Sequence, residues 1–352
     1  MKLASIDVGT NSTRLLIVDY SKRNHALNFV TIAREMVITR IGKNLTKAGR
    51  ISQLSAKRTL NVLSNYLNLI NKEKVEKYRA IGTSALRQAK NSKWFLDFIE
   101  KRLGMKINII DGKEEAALSF CGAVRNLNLI LLKDKFPKAK YPDLDLFFNS
   151  SYRINDNNDK KNIKNINTKK TDGNVLVIDI GGGSTEFILG SLNGRIIFSE
   201  SIDIGCVNLT EKFINYSKPA PEELELQNNY IRDKIKKLIN KISENNFNLI
   251  IGLAGTISTL AAVDLKLTQY NRDKIHNHVL KFDNIKLIYD QFCQVDIDSR
   301  KKIIGLEEKR ADIIISGTAI LLEIMKMLGS DKILVSENDI LNGIIYSILD
   351  FC

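Results

Sequence analysis

Two segments of the chain share one pattern of apolar and polar positions: an apolar run, a polar turn and a second apolar run. The first segment is Ala4–Val18, and the second, about half a chain further on, is Val175–Leu189. Two apolar runs joined by a turn predict a β-hairpin, and a repeated unit indicates a duplicated architecture. We therefore expect two related halves that face each other across a cleft, each contributing one polar turn.

The rest of the sequence alternates between helical spacing of apolar residues and short apolar runs. Strands that alternate with helices indicate an α/β fold. We expect helices at Ser52–Lys72, Ser84–Lys90, Glu114–Val124, Pro221–Glu244 and Ala311–Leu328, and strands at Tyr78–Ile81, Ile107–Ile110, Leu249–Leu253 and Ile333–Val335.

The length of 352 residues favours two domains over a single hydrophobic core. We expect domain I at residues 1–130 and domain II at residues 131–335, with a last helix at 336–352 that packs back on domain I. Residues 133–173 are rich in Asn, Lys and Asp, which indicates an insertion that is partly disordered after about residue 149.

Charge and cysteine usage narrow the class of protein. The net charge of +13 favours polyanionic partners such as polyphosphate, charged nucleotides or nucleic acid. The four cysteines lie far apart without a CxxC pair, so we expect reduced thiols rather than a zinc site or a disulfide framework. The sequence shows no signal peptide and no apolar stretch long enough to span a membrane. We therefore expect a cytoplasmic protein without a membrane partner.

The turn of the second hairpin carries the strongest chemical signal. Three consecutive glycines, Gly181–Gly183, allow close approach to a ligand and positive φ, and their N–H groups can form an anion-binding nest. Asp179 and Glu186 bracket the glycines, and a Mg²⁺ ion between carboxylates and phosphate oxygens fits that arrangement. The alternative is a tight glycine hairpin with incidental acids.

The turn of the first hairpin, between Asp7 and Arg14, is rich in hydroxyl and amide groups that can bind phosphate oxygens. A plain polar β-turn would use the same residue types, but the repeat favours a shared role in binding phosphate. Arg14 occupies the place that Glu186 has in the second turn. We therefore expect the second turn to be the metal side of a clamp and the first to hold phosphate by hydrogen bonds and positive charge.

Two further segments place glycine and hydroxyl residues at the start of a helix, where free N–H groups and the helix dipole attract phosphate. In the first, Thr83 and Ser84 follow a strand, and Arg87 lies one turn further on. The second is Gly252–Ala262, which suits a phosphate or nucleotide contact. A capped helix with a solvated arginine is the alternative for the first.

Two adjacent acids, Glu114 and Glu115, begin a predicted helix. Glu114 is expected to complement the helix dipole only. Glu115 is our candidate for a carboxylate that orients and deprotonates water for attack on a phosphoanhydride. His276 and His278 have no evident third ligand, so we expect a structural role for them.

Nearly the whole chain carries a series of motifs in this order: DVGTNSTR, GTSALRQAKN, GKEEA, DIGGGSTE, GLAGTISTLAA, HNHVL and KRADIIISGTAIL. The series resembles the exopolyphosphatase / guanosine pentaphosphate phosphohydrolase family of the actin-like ATPase superfamily. That resemblance implies two actin-like (ribonuclease H-like) α/β domains that face each other across a cleft. It implies Glu115 as the catalytic base and Asp179 and Glu186 as ligands of Mg²⁺ or Mn²⁺. The expected phosphate-binding residues are Asp7, Gly9, Thr10, Asn11, Ser12, Arg14, Thr83, Ser84, Arg87, Gly181, Gly182, Gly183, Ser184, Thr185, Gly255 and Thr256.

The substrates that the resemblance implies are inorganic polyphosphate, cleaved from an end, and guanosine penta- or tetraphosphate. We also expect a homodimer and no nucleic-acid partner. The high positive charge favours polyphosphate. The chain departs from the family in the insertion at 133–173, in a glycine lost within Val335–Gly343, and in ending at residue 352 without the helical domain of long members.

Two functions of other classes stay open. One is an alarmone sensor that does not hydrolyse its ligand, against which the presence of Glu115, Asp179 and Glu186 argues. The other is an ATP-dependent kinase, which would need a roomy adenosine pocket at Gly252–Ala262 and an acceptor-site base, and no such base is evident.

Overall fold

A computed structural model describes residues 1–23, 26–125, 127 and 173–352. The expected insertion therefore lies, except for its last residue, outside the described part of the chain. The described residues form a five-stranded and a six-stranded β-sheet with helices around them, so the α/β prediction is confirmed.

The first sheet has the strand order β3-β2-β1-β4-β5. Its centre is the predicted first hairpin, in which β1 and β2 are antiparallel and Asp7 lies opposite Arg14. β4 pairs with β1 in the parallel direction, which places the carboxyl ends of both strands at one edge of the sheet. The strands are β1 Lys2–Val8, β2 Ser12–Arg23, β3 Ala26–Ile38, β4 Lys77–Gly82 and β5 Asn108–Ile109.

The second sheet has the order β10-β11-β9-β6-β7-β8 and repeats that topology. The second hairpin, β6 and β7, sets Asp179 opposite Glu186, and β9 runs parallel to β6 as β4 does to β1. Residue for residue, Glu186 therefore has the place of Arg14, as expected. The strands are β6 Asn174–Ile180, β7 Thr185–Ser191, β8 Ile196–Ile202, β9 Leu249–Leu253, β10 Val279–Lys281 and β11 Lys332–Val335.

All five expected helices are present, with shifted ends. The helix expected from Ala311 begins at Ile314, because a 3₁₀ turn at Glu308–Arg310 precedes it. Ser84 is the first residue of its helix rather than its cap; the cap position is Thr83. The helices are α1 Leu45–Ala48, α2 Gln53–Lys72, α3 Ser84–Gln88, α4 Ser92–Leu103, α5 Gly112–Val124, α6 Cys206–Phe213, α7 Pro221–Ser243, α8 Ala254–Asp264, α9 Arg272–Ile275, α10 Phe282–Gln294, α11 Ile297–Arg300, α12 Ile314–Leu328 and α13 Ile340–Ile348.

Helices α5 and α13 cross with their backbones almost in contact. A Cβ atom at Gly122 would lie 1.9 Å from the carbonyl oxygen of Asp339, and one at Gly343 would lie 1.9 Å from that of Leu118. Only glycine allows so close a crossing. Apolar residues of α13, including Ile344, pack in one cluster with residues of the first sheet and with Leu118. The crossing thus links α5 and α13 to the first sheet, while the domain boundaries at 130 and 335 stay a prediction.

The same crossing brings Cys121 and Cys352 together in a disulfide, with their Cα atoms 6.0 Å apart. The expectation of reduced thiols throughout is therefore wrong for this pair, whereas Cys206 and Cys293 are free. The two bonded residues are 231 positions apart, so their spacing carries no signal that a local pattern could show. In the described part of the chain, no helix is both long and apolar enough to cross a membrane.

Candidate active site

A cavity of about 620 Å³ lies where the two hairpin turns meet. Most residues that the sequence singled out line this one space, so segments far apart in the chain converge. Those lining it are Asp7, Gly9, Thr10, Asn11, Ser12, Arg14, Thr83, Ser84, Glu115, Asp179, Gly181, Gly182, Gly183, Ser184, Glu186, Gly255 and Thr256.

Two of the expected phosphate-binding residues lie outside the lining. Thr185 is fully buried and donates its hydroxyl to the carbonyl oxygen of Ile204, at 2.6 Å. It therefore fastens β7 to the segment after β8. Arg87 lies behind the cavity wall, where its guanidinium donates to the carboxylate of Glu115 and to the carbonyl oxygen of Ile110.

The two turns have the same closure and touch each other. The N–H of Gly9 donates to the carbonyl of Ser12 at 3.0 Å, and that of Gly181 to Ser184 at 2.9 Å. A Cβ atom at Gly183 would lie 2.8 Å from the hydroxyl oxygen of Thr10. The glycines thus make room for the opposite turn. None of Gly181–Gly183 has a positive φ, so that part of the expectation is wrong.

Six buried carboxylates line the cavity: Asp7, Glu115, Asp179, Glu186, Glu337 and Asp339. Burial raises the pKa of Asp179 to about 6, although the charge of Arg14 and a hydrogen bond from Ser119 oppose the rise. Burial also raises the pKa of Glu186 well above its usual range, and the charges of Glu115 and Asp179 add to that rise. Acids held so close together favour a bound cation or a retained proton.

Hydroxyl groups orient the two acids of the second turn. Ser119, on α5, donates to Oδ2 of Asp179 at 2.8 Å. Ser201, on β8, donates to Oε1 of Glu186 at 2.8 Å. Within the described residues, neither carboxylate forms a salt bridge to an arginine or lysine. Among the described residues, neither acid is therefore neutralised by a direct ion pair, although the charge of Arg14 acts on Asp179.

Glu115 enters the cavity from the first turn of α5. Asp111 caps that helix by accepting the N–H of Glu114 at 2.8 Å, which fixes the direction of the turn. Burial raises the pKa of Glu115 to about 7, while its ion pair with Arg87 opposes the rise. A carboxylate with a pKa near neutrality suits a general base. Glu114 is exposed and pairs with Arg79 outside the cavity.

Arg14 is enclosed by two carboxylates. Its Nε and Nη2 donate to Oδ2 of Asp7 at 3.0 and 2.6 Å, and its Nη1 donates to Asp339. Although burial alone would lower it, Asp339 and Asp7 raise the pKa of Arg14. The sequence analysis assigned the positive charge of Arg14 to phosphate binding. In the structure, that charge is also paired with Asp7 and Asp339.

Part of the cavity lining was missed by the sequence interpretation. Its apolar side chains include Met36, Leu267 and Leu306, and its polar groups include Arg310 and Glu337. Glu337 accepts hydrogen bonds from the hydroxyls of Ser258 and Tyr270. These residues come from separate elements without a shared motif. Two signals were available: Arg310 lies in the motif KRADIIISGTAIL, and Glu337 lies within Val335–Gly343, where the chain departs from the family.

The residues present fit a hard divalent cation. Within the described residues, no group of three or more His, Cys, Asp or Glu side chains is arranged to hold a metal by itself. Mg²⁺ does not need such a group, because it commonly takes one or two carboxylates and completes its shell with phosphate oxygens and water. Asp7 adds a buried Oδ1 without a hydrogen-bond partner among the described residues. Asp179 and Glu186 supply the negative charge beside it.

The histidines have structural contacts. His278 is bonded through Nε2 to Oδ2 of Asp264 at 2.7 Å, and Nδ1 of His276 accepts the N–H of Glu337 at 3.2 Å. These bonds join α8 and the segment after β11 to the loop that carries both histidines.

Comparisons with known proteins agree on one family. The sequence model of the Ppx/GppA phosphatase family matches residues 17–130 and 165–351. The bifunctional 3-dehydroquinate synthase/phosphatase of Fusobacterium nucleatum is 33% identical over 355 residues, which cover 97% of this chain and 46% of that relative. The chain therefore spans about half the length of that relative. Exopolyphosphatase 2 of Mycobacterium tuberculosis is 29% identical over 356 residues, which cover 99% of this chain and 98% of the relative.

A solved structure shows the same architecture. The crystal structure of the Ppx/GppA family member from Aquifex aeolicus matches with a TM-score of 0.70 and 28% identity, over 99% of this chain and 97% of that one. The expected α/β fold with two actin-like halves is thereby confirmed.

Proposed function

Because this chain belongs to the Ppx/GppA phosphatase family, we propose that it releases orthophosphate from the ends of inorganic polyphosphate by hydrolysing terminal phosphoanhydride bonds. One observation carries the proposal: two phosphate-type turns meet in a single cavity that is lined by six buried carboxylates. The net charge of +13 supports a polyanionic substrate. Exopolyphosphatase 2, similar to this chain over nearly its whole length, supports the substrate class.

Glu115 is proposed as the general base. Its pKa of about 7 leaves it ionised in a large fraction of molecules at neutral pH, and basic enough to take a proton from water. Arg87 holds the carboxylate through its ion pair. Water oriented in this way would attack the terminal phosphorus in line with the leaving oxygen.

The phosphate chain is proposed to lie between the two turns. Thr10, Asn11 and Ser12 of the first turn and Ser184 of the second offer hydroxyl, amide and backbone N–H donors along the cavity wall. The first turn of α8, with Gly255 and Thr256, adds backbone N–H groups and the positive end of a helix dipole. Donors preorganised around the transferring phosphoryl group stabilise its charge in the transition state.

Asp179 and Glu186 are proposed to hold Mg²⁺ or Mn²⁺ directly, and Oδ1 of Asp7 is proposed to accept a hydrogen bond from water in the shell of the ion. When bound, the ion would neutralise negative charge on the phosphate oxygens and so favour attack.

We predict that Asp179→Asn raises the Mg²⁺ concentration needed for half-maximal phosphate release, because the amide carries no charge. An unchanged Mg²⁺ titration in this variant would count against the site.

Guanosine pentaphosphate is the second candidate substrate, favoured by the apolar part of the cavity lining. Met36, Leu267 and Leu306 offer apolar surface of the kind that a nucleoside needs. The Glu337 carboxylate can accept hydrogen bonds from a ribose or a base, whereas it would repel a longer phosphate chain. This candidate uses the same turns and the same base for its 5′ phosphate.

A phosphate-release assay separates these candidates. Long polyphosphate, short polyphosphate, guanosine pentaphosphate and ATP are each incubated with the protein, with and without Mg²⁺. We expect Mg²⁺-dependent release from polyphosphate, and release from guanosine pentaphosphate alone would establish the second candidate. Binding of guanosine pentaphosphate without release from any substrate would instead support a sensor and reject hydrolysis.

Three further expectations from the sequence are kept as proposals: a homodimer, a cytoplasmic location and an absence of nucleic-acid binding. Light scattering coupled to size-exclusion chromatography measures the oligomeric state directly. A mass equal to the 39.8 kDa of one chain would reject the homodimer.

A further inference from the structure

We propose that Asp339 is a positioning residue for the cavity: it holds Arg14 so that Arg14 binds one oxygen of Asp7 and leaves the other oxygen for water in the shell of a divalent cation. The inference rests on the proposed cation site. It concerns a contact across 325 residues of sequence, between the segment after β11 and the first hairpin.

The geometry of the chain Asp339–Arg14–Asp7 is the first support. Nε and Nη2 of Arg14 both donate to Oδ2 of Asp7, so one carboxylate oxygen receives two bonds. Oδ1 of Asp7 is buried and has no hydrogen-bond partner among the described residues. Nη1 points the other way, to Oδ2 of Asp339. The guanidinium is thus fixed at both ends, and its position decides which oxygen of Asp7 stays available.

Asp339 is itself held by the backbone around it. Its Oδ1 accepts the N–H of Leu341 at 3.0 Å, which caps α13, and its Oδ2 is left for Arg14. Its carbonyl oxygen lies against Gly122 at the crossing of α5 and α13. Each oxygen of the side chain therefore has a separate task, and the residue cannot move without disturbing the helix crossing.

The positive charges around Asp339 favour its ionised form. Arg34 approaches Oδ2 of Asp339 at 3.4 Å and also donates to the carbonyl of Glu337 at 2.8 Å. Burial would raise the pKa of Asp339, but Arg14 and Arg34 together hold it below the usual value. A permanent negative charge behind Arg14 results.

That charge keeps Arg14 away from the other acids of the cavity. Asp179 also attracts Arg14 electrostatically, so a guanidinium without its Asp339 partner would be drawn more strongly towards Asp179. Turning towards Asp179 would place a positive charge where the cation is proposed to bind. Asp339 therefore acts on the cation through Arg14 rather than by touching it.

The test measures cation affinity in the absence of substrate, by calorimetric titration of Mg²⁺ into the full chain. Asp339→Asn keeps a capping oxygen for Leu341 but presents an amide to Arg14. We expect Mg²⁺ to bind about tenfold more weakly, the scale at which groups behind metal ligands act. Asp339→Ser, which keeps the cap by a hydroxyl, should show the same loss and covers the case in which the asparagine variant does not fold.

Arg14→Gln separates positioning from a simple loss of charge. If Asp339 acts through Arg14, adding Asp339→Asn to Arg14→Gln changes the affinity no further, because the coupled pair is already broken. The matched control is Asp296→Asn, a helix cap at α11 whose side chain accepts the N–H of Ser299 at 2.8 Å away from the cavity. It should bind Mg²⁺ like the wild type.

Unchanged affinity in Asp339→Asn, or the same loss with and without Arg14, would overturn the inference. A wild-type protein that releases no phosphate from any substrate yet shows the expected pattern of affinities would reject the proposed function and support the role of Asp339.

Discussion

Glu115, the candidate base, lines the cavity and forms an ion pair with Arg87, which lies behind the cavity wall. The sequence placed Arg87 with the phosphate. In the structure its guanidinium donates hydrogen bonds to Glu115 and to the carbonyl of Ile110, so we propose that Arg87 positions the base. At the scale of single residues, this pair therefore offers the sharpest tests.

Glu115→Gln should keep substrate binding and lose turnover by about a hundredfold or more, because general-base catalysis contributes on that scale. Steady-state phosphate release gives kcat, and equilibrium binding of the substrate gives affinity. The control is Glu114→Gln, since Glu114 is exposed and outside the cavity. Turnover near the wild-type value in Glu115→Gln would remove Glu115 from the mechanism.

The pH profile of phosphate release should fall on the acid side with a midpoint of about 7, because Glu115 acts only when ionised and its pKa is about 7. The Arg87 charge lowers that pKa, so Arg87→Met should move the midpoint to higher pH. Arg79→Met, which breaks the exposed pair with Glu114, should leave the midpoint in place. A midpoint that does not respond to Arg87 would show that another group controls the acid limb.

At the scale of secondary-structure elements, helix α5 connects several parts of the site. Its first turn carries Glu115, its second carries Ser119, which orients Asp179, and its third carries Gly122 at the crossing with α13. α13 in turn begins at the cap Asp339. A change in the crossing should therefore reach the carboxylates of both hairpins.

Gly343→Ala tests this connection. A Cβ atom there would lie 1.9 Å from the backbone oxygen of Leu118, which cannot rotate away, so the two helices must separate. We expect a loss of about 1–3 kcal/mol in the free energy of unfolding, the usual cost of overpacking. Urea denaturation measures it, with Asn240→Ala on the exposed face of α7 as the control. Equal stability of the two variants would contradict the backbone contact.

The disulfide between Cys121 and Cys352 acts on the whole molecule, because it closes a loop across most of the chain. Reduction, or Cys352→Ser, should lower the free energy of unfolding by about 2–4 kcal/mol through the greater freedom of the unfolded chain. Urea unfolding with and without reductant measures this, and reductant should have no effect on Cys352→Ser. Four free thiols in the native, unreduced protein would show that the bond does not form.

Much of the fold is determined by local sequence. Each hairpin pairs within eighteen consecutive residues, where two apolar runs and the turn chemistry between them specify both strands and their register. The pairs Asp7–Arg14 and Asp179–Glu186 follow from that register. Most residues of the clamp could thus be predicted. The two turns follow from the hairpins, and the segments after the parallel strands follow because such strands bring their carboxyl ends to one edge of a sheet.

Only the tertiary structure decided how these residues are partnered. The sequence identified Arg14, but that its charge is held between Asp7 and Asp339 depends on a helix that returns from the other end of the chain. The bond between Cys121 and Cys352 and the place of Glu337 in the cavity have the same origin. Such contacts are set by the packing of whole helices and sheets, and nothing in the spacing of a single segment encodes them.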